Sequence, residues 1–300
     1  MSKVKLTAAG LRGVWTALVT PFKVGRIDKN RLADLVERAV AAGLTGIAPV
    51  GTTGEAPALS QSEWEKVIET TVKTADGRIK VVPGVGTNNT QRTQENMRCA
   101  ADLGADGALL VAPYYNKPTP DGLRRHFLAC ADVSNLPVIL YHIPGRCGVG
   151  IPTDLTLQLA RHPNFIGLKD AGGDILHVSE LARRAPHDFA ILSGDDQLTL
   201  PFISVGAVGV ISVISNLAPK MTKQMVDYAL KGDFKSALEL HRKFAVLNAA
   251  LTLETNPGPI KETLNIKGIK VGSVRAPLAS VRPETRKALK KALAELGDFD

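Results

Sequence analysis

The sequence predicts an α/β protein of the (β/α)8 TIM-barrel class, followed by a small C-terminal helical domain. Three observations carry that expectation. Eight short apolar runs recur between Gly13 and Val213, and stretches with helical apolar spacing separate them. The runs are apolar at almost every position, as parallel strands covered on both faces are, and eight is a strand number that closes a barrel. No run is followed by a GxGxxG turn: Gly84-Val-Gly86 lacks a third glycine and a helix behind it, which argues against a doubly wound open sheet.

The elements follow in order. The first run is Gly13–Val19 (GVWTALV); behind it, Asn30–Ala42 sets Leu32, Leu35, Val36, Ala39 and Val40 on one helical face. Gly46–Val50 (GIAPV) is the second. Ser60-Gln-Ser-Glu63 has the form of a capping box before the helix carrying Trp64, Val67 and Ile68. Lys80–Val85 (KVVPGV) and Gly107–Ala112 (GALLVA) are the third and fourth. The segments AAGLTGI (41–47) and ADLGADGAL (101–109) resemble each other, and both read as helix end, glycine turn, then strand. Pro137–His142 (PVILYH), Phe165–Lys169 (FIGLK), Phe189–Ser193 (FAILS) and Gly209–Val213 (GVISV) complete the set, and Ala218–Leu230 supplies the eighth helix. The barrel is expected to occupy residues 1–232 and the helical domain 233–300, broken in its middle by Asn256-Pro-Gly-Pro259.

Composition narrows the function. Apolar residues at 44% and charged residues at 22% of 300 are ordinary for a soluble globular chain. Aromatics reach only 5%, so the core must be built mainly from Val, Ile, Leu and Ala. The net charge of +8 raises the question of a polyanion partner. Between Lys267 and Lys291, eight Lys or Arg stand against a single acid, Glu284, yet no aromatics are interleaved for bases to stack on. Arg286, Lys287, Lys290 and Lys291 read instead as a solvated helix face, helped by lysines near a helix end, and no nucleic-acid partner is expected. Cys99, Cys130 and Cys147 are odd in number and lack metal-ligand spacing, so reduced thiols and a cytoplasmic location are expected. MSKVKLTAAG has no apolar signal core, and no apolar run approaches the ~18 residues of a membrane span.

Chemistry in such barrels gathers at the C-terminal ends of the strands. Those ends read Gly51-Thr-Thr-Gly54-Glu55, Pro113-Tyr-Tyr-Asn116, Tyr141 with Pro144-Gly145-Arg146, Lys169, and Ser193-Gly-Asp-Asp196. Lys169 leaves an apolar strand, and desolvation favours the neutral amine that attacks carbonyls. An ion pair with Asp170 at the barrel rim is the other reading of the same lysine, and local sequence leaves both open. Thr52-Thr53 between glycines suits a strand-to-helix turn or a carboxylate-binding nest of amides. Tyr114-Tyr115 suits core or interface packing. Arg146 suits the surface or a bidentate grip on a substrate carboxylate. Asp195-Asp196 lacks His or Glu at ligand spacing, so no metal is expected. His142 and Cys147 read as packed residues.

Taken together these motifs resemble the pyruvate-dependent Schiff-base aldolases, most closely the dihydrodipicolinate synthase family. The likeness runs from Trp15-Thr-Ala-Leu-Val-Thr-Pro-Phe22 to Asn256-Pro257, through GTTGE (51–55), PYYNKP (113–118), YHIPGR (141–146), GLKDA (167–171), LSGDD (192–196) and GVISV (209–213). The resemblance implies that Lys169 forms an imine with pyruvate, which becomes an enamine nucleophile, with no metal or organic cofactor. It implies a proton relay of Tyr141, Thr52 and Tyr115, the last lent across a subunit interface, and hence a homo-oligomer, a dimer at least and commonly a dimer of dimers. Thr53 would hold the pyruvate carboxylate, Arg146 the carboxylate of aspartate semialdehyde, and Gly194 and Ile211 would line the pocket. The product would feed the diaminopimelate route to lysine.

Two departures and one alternative accompany the likeness. The strand-five motif reads Tyr141-His142-Ile143-Pro144 where close members have Tyr-Asn-x-Pro, with Cys147 where Thr commonly follows the arginine; alternation aims His142 away from Tyr141, so altered packing is expected. The positions matching the family's lysine-inhibition site read Pro57, Gln61, Trp64, Asn88, Arg92 and Tyr114, and Arg92 in place of an acid predicts weak or absent inhibition. The same barrel also hosts N-acetylneuraminate lyase and the keto-deoxy-sugar-acid and 4-hydroxy-2-oxoglutarate aldolases, which fold and lysine alone do not separate. Arg146 after Pro144-Gly145 and the GTTGE form favour the synthase.

Overall fold

Several helices begin where a side chain replaces a missing backbone partner. Asp28 accepts the Arg31 amide at 3.0 Å and opens α1 (Lys29–Ala41). Ser60 and Glu63 form the expected capping box, at 3.3 and 3.0 Å, and open α2 (Gln61–Ala75). Asn89 and Thr119 cap α3 (Thr90–Asp102) and α4 (Pro120–Ala131). Leu32, Leu35, Val36 and Ala39 are buried on the inner face of α1, with Val40 at its margin. After α1 and α3, Gly43 and Gly104 take φ of 67° and 81°, and the amides of Leu44 and Ala105 reach back to Ala39 and Ala100. The two similar segments therefore stop their helices by the same device.

The computed structural model describes residues 5–297 and 299. Its parallel sheet comprises β1 (Gly13–Ala17), β2 (Gly46–Ala48), β3 (Lys80–Val81), β4 (Ala108–Val111), β5 (Val138–His142), β6 (Phe165–Asp170), β7 (Ala190–Ser193) and β8 (Gly209–Ser212). They pair in the order β3-β2-β1-β8-β7-β6-β5-β4. A parallel bridge between Gly84 and Leu109 joins the two outer members and closes the (β/α)8 barrel. The expected third run is interrupted because Pro83 has no N–H to give; its carbonyl still accepts the Leu109 amide at 2.9 Å.

Side-chain alternation divides the barrel into two apolar volumes. Trp15, Ala17, Ala48, Val82, Leu109, Ile139, Leu192 and Ile211 fill the interior, and Tyr141 lies among them. Val14, Ile47, Val81, Leu110, Leu140, Leu168 and Val210 face outward and pack under the helices. The register between β5 and β6 slips once, so that Ile139 faces Gly167 while Tyr141 faces Lys169 and His142 faces Asp170. That slip seats Ile166 in the interior cluster and returns Lys169 to the inward side.

The remaining helices are α5 (Pro144–Cys147), α6 (Thr153–Leu159), α7 (Ile175–Arg184), α8 (Thr199–Ser204), α9 (Pro219–Leu230), α10 (Phe234–Leu251), α11 (Gly258–Ile266) and α12 (Pro283–Leu296). The chain is interrupted between α10 and α11 at Asn256-Pro257, as expected, and α10 packs against α9 and α12. Arg286, Lys287, Lys290 and Lys291 do line the exposed face of α12, opposite buried Leu289, Ala292 and Leu293. The expected help from lysines at a helix end is absent: the last turn of α12 carries no basic residue. The block is instead partly neutralised from elsewhere, since Arg275 pairs with Glu63 and Arg286 with Glu262, at 2.6 and 2.8 Å. No helix among the described residues is long and apolar enough to cross a membrane.

Candidate active site

Lys169 is the penultimate residue of an entirely buried strand and is itself only 5% exposed. Its Nζ lies 4.2 Å from the centroid of the Tyr141 ring, which the register of β5 and β6 places beside it. The alternative reading, an ion pair with Asp170, is not what forms. Asp170 points to the other side of β6, where its carboxylate accepts the Gly172 amide and the His177 ring N–H, each at 2.9 Å. Gly194 leaves space for the lysine stem, because a Cβ there would lie 3.0 Å from Lys169 Cε and 2.8 Å from Ala171 Cβ. Ile211 is buried in the same interior cluster. An amine, a phenol and a glycine-lined recess therefore share the mouth.

Thr52 and Thr53 follow β2 in a turn whose neighbours Val50 and Glu55 have φ of 47° and 57°. Thr53 is buried, and its hydroxyl accepts the side-chain N–H of Asn256 at 2.9 Å. Arg146, exposed at the end of β5, donates to the carbonyl of that same Asn256 at 3.1 Å. Two of the expected carboxylate-binding residues thus meet through one asparagine from beyond the barrel. Tyr115 is not brought to them: it is 87% exposed, with φ of 74°. Among the described residues no hydrogen bond joins Tyr141, Thr52 and Tyr115.

A sequence model of the Dihydrodipicolinate synthetase family matches residues 10–296. The chain belongs to that family. The 4-hydroxy-tetrahydrodipicolinate synthase of Thermomicrobium roseum is 44% identical over 284 residues, which is 95% of this chain and 94% of the relative. Dihydrodipicolinate synthase from Aquifex aeolicus, a solved structure, matches with a TM-score of 0.93 at 42% identity, covering 95% of this chain and 97% of that one. The Cyanidioschyzon merolae enzyme, solved with lysine bound, gives 0.94 at 35% identity over 96% and 99% of the two chains. Membership in the family makes this chain a lyase of the Schiff-base aldolase class.

Several residues around the family's motifs were not legible as partners. Glu55, the last residue of GTTGE, forms a buried ion pair with Lys261 at 2.7 Å, both side chains being 1% exposed. Lys261 Nζ also donates to the carbonyls of Thr20 and Ser273, at 3.0 and 2.8 Å, and sits over the Phe22 ring. Burial lowers the Lys261 amine from its ordinary value while Glu55 raises it. The second Glu55 oxygen accepts the Arg275 amide at 2.8 Å. Asp196 accepts the amides of Val213 and Ile214, and Asp195 that of Gln197, so these acids organise loops. Cys147 is packed as expected; burial pushes its thiol up to about 11.

One cluster has the residue types of a metal site. A ring nitrogen from each of His142 and His177 and a carboxylate oxygen of Asp170 lie within 4.8 Å of one another. The hydrogen bonds commit most of that donor set. Ile151 N–H donates to His142 Nδ1 at 2.9 Å, which keeps the neutral ring's proton on Nε2, and His177 Nδ1–H is given to Asp170. Only His177 Nε2 keeps a buried lone pair without a partner. One imidazole and a carboxylate already in use are too few for a transition-metal site.

Proposed function

We propose that this chain condenses pyruvate with L-aspartate 4-semialdehyde to give 4-hydroxy-tetrahydrodipicolinate, the product for which its relatives are named, with Lys169 as the imine-forming amine. The observation that carries the assignment of Lys169 is its position: buried at a strand end, beside the Tyr141 ring, with the adjacent carboxylate turned away. The neutral amine attacks the pyruvate ketone, water leaves, and the protonated imine draws electrons from the methyl carbon. Loss of a methyl proton gives an enamine whose carbon attacks the aldehyde. The amine of the adduct then displaces Lys169, which regenerates the free lysine and closes the ring of the product. The imine is itself the electron sink, so this chemistry calls for no metal or organic cofactor.

The other side chains divide the remaining work. Tyr141 moves protons at the reacting carbons, with Thr52 and the Tyr115 of a second copy completing a hydroxyl relay. The exposure and left-handed backbone of Tyr115 support that lending, since a large side chain held in a strained outward conformation is rarely idle. Thr53 holds the pyruvate carboxylate, Arg146 that of the aldehyde, and Gly194 and Ile211 line the recess. The working unit is therefore at least a dimer, and we propose a dimer of dimers in the cytoplasm, where the free thiols of Cys99, Cys130 and Cys147 stay reduced. Residues 1–232 form the catalytic barrel and 233–300 a helical domain that completes its rim.

Borohydride reduction in the presence of pyruvate tests the reading. A stable adduct of pyruvate mass on Lys169, absent in Lys169→Ala, is the expected result. Turnover of pyruvate with aspartate semialdehyde is the second arm. Retro-aldol cleavage of sugar acids without that turnover would place the chain among the sugar-acid aldolases instead.

A further inference from the structure

Tyr141 and Lys169 lie in register on neighbouring strands, and so do the residues that follow them, His142 and Asp170. Alternation turns the second pair outward, under α7. Lys169 has no ion pair or hydrogen bond of its own among the described residues, so the backbone of β6, with the Tyr141 ring and the space left at Gly194, decides where its amine sits. The end of that strand is fastened from behind. Asp170 is fully buried, and its two oxygens are taken by the Gly172 amide and by His177 Nδ1–H, both at 2.9 Å. His142 accepts the Ile151 amide and lies against the His177 ring, with centroids 5.0 Å apart. Gly172 closes over this cluster, since a Cβ there would lie 2.6 Å from His142 Nε2. The backbones of the same two residues tie the mouth together: Gly194 N–H donates to the Asp170 carbonyl at 2.6 Å, and Ala171 N–H to that of His142 at 2.8 Å.

We infer that His177 is a positioning residue for the reaction, holding Asp170, and through it the end of β6, so that Lys169 meets pyruvate at the correct depth beside Tyr141 and Gly194. The inference rests on Lys169 as the imine-forming residue. His177 touches neither substrate nor reacting atoms; it is seven residues from Asp170 and donates one hydrogen bond to it. Loss of that donor leaves a buried carboxylate oxygen without a partner, and the strand end must move to recover one. Displacement of a reacting group by about 1 Å can cost about 100-fold in rate.

The test compares His177→Leu with His177→Asn, whose side-chain amide offers a donor close to the position of Nδ1. Borohydride trapping of pyruvate gives the rate of imine formation, and steady-state assays separate kcat from KM. The expected result is a fall in trapping rate and in kcat of about 10- to 100-fold for the leucine variant, with most of both restored by asparagine. Should the leucine variant fail to fold, His177→Gln, with its donor displaced by one methylene, takes its place. Wild-type rates in the leucine variant, or in the glutamine variant where it stands in, would overturn the inference. So would an asparagine variant as slow as leucine, with both losses tracking a fall in Tm, since the ring would then be packing material only. A wild-type protein that traps no pyruvate would instead overturn the assignment of Lys169, and the two failures are thereby kept apart.

Discussion

Replacing Lys261 by Met separates a buried charge from its partner while keeping most of the side-chain volume. The wild-type amine makes three bonds, to Glu55 Oε1 at 2.7 Å, the Thr20 carbonyl at 3.0 Å and the Ser273 carbonyl at 2.8 Å. At 1% exposure neither Glu55 nor Lys261 has water to fall back on. Removing one member of such a pair costs about 3–5 kcal/mol, mostly from the charge left behind. For a chain of this size each kcal/mol moves Tm by about 2 °C, which sets the expected fall at about 6–10 °C. Scanning calorimetry on the single variants and on Lys261→Met/Glu55→Gln would measure it. The double variant is expected to recover part of the loss, because no lone charge remains and the coupling between neighbours is non-additive. A single-variant fall below about 2 °C would refute the reasoning and mean that solvent reaches the pair.

Other outcomes follow from separate features. Burial lowers His126 from 6.5 to about 4, so the unfolded chain binds a proton there that the folded chain refuses. Its contribution is intact above 6.5 and is lost as pH falls toward 4, by up to about 3 kcal/mol. His142 and His241 shift in the same direction, so urea midpoints should fall steeply on that acid limb, and less so in His126→Asn. Asn256→Ala removes the donor to the Thr53 hydroxyl but keeps the carbonyl that Arg146 uses; one lost bond of about 1 kcal/mol predicts about a 5-fold lower kcat/KM for pyruvate. At the positions matching the family's lysine-inhibition site, Arg92 is bound to Gln61 and Glu95. Its charge opposes a lysine ammonium, so inhibition should be weak and should strengthen in Arg92→Glu; half-inhibition of the wild type below millimolar lysine would contradict this.

The barrel was legible because its signals are local. Each strand is a run of apolar residues a few positions long, and each long helix carries its own apolar face, several with a side-chain cap, as Ser60 and Glu63 illustrate. Lys169 was visible as a strand end, and its neighbours were visible as motifs. The departures came from groups whose meaning depends on the third dimension. Asp170 reads equally well as a partner of the adjacent Lys169 or of His177, and only strand alternation with the placement of α7 decides between them. Pro83 shortened a strand for want of one N–H, which the sequence did display. Lysines of the basic block were expected near a helix end, but α12 runs on to Leu296 and leaves its last lysine, Lys291, before the final turn.

The deepest gap in the sequence reading has a single geometric cause. Reading the residue past each strand finds only what the barrel contributes to its own mouth, yet the mouth is finished by residues from beyond α10. Asn256 holds both the Thr53 hydroxyl and the Arg146 guanidinium, which come from the ends of different strands. Lys261 and Arg275 grip Glu55 at the end of the same turn that carries Thr52 and Thr53. Arg275 also pairs with Glu63, whose carboxyl its hydrogen bond holds down to about 2, so the start of α2 is fixed by the same residue. Substrate-binding loops of a barrel are free to vary because the strands do not constrain them. Here the segment after residue 233 supplies that constraint, through one asparagine in a turn, one buried helical lysine and one arginine in the stretch that follows. The turn after β2 is accordingly held at Thr53 and at Glu55, so the carboxylate-binding role proposed for Thr53 would cost little ordering entropy.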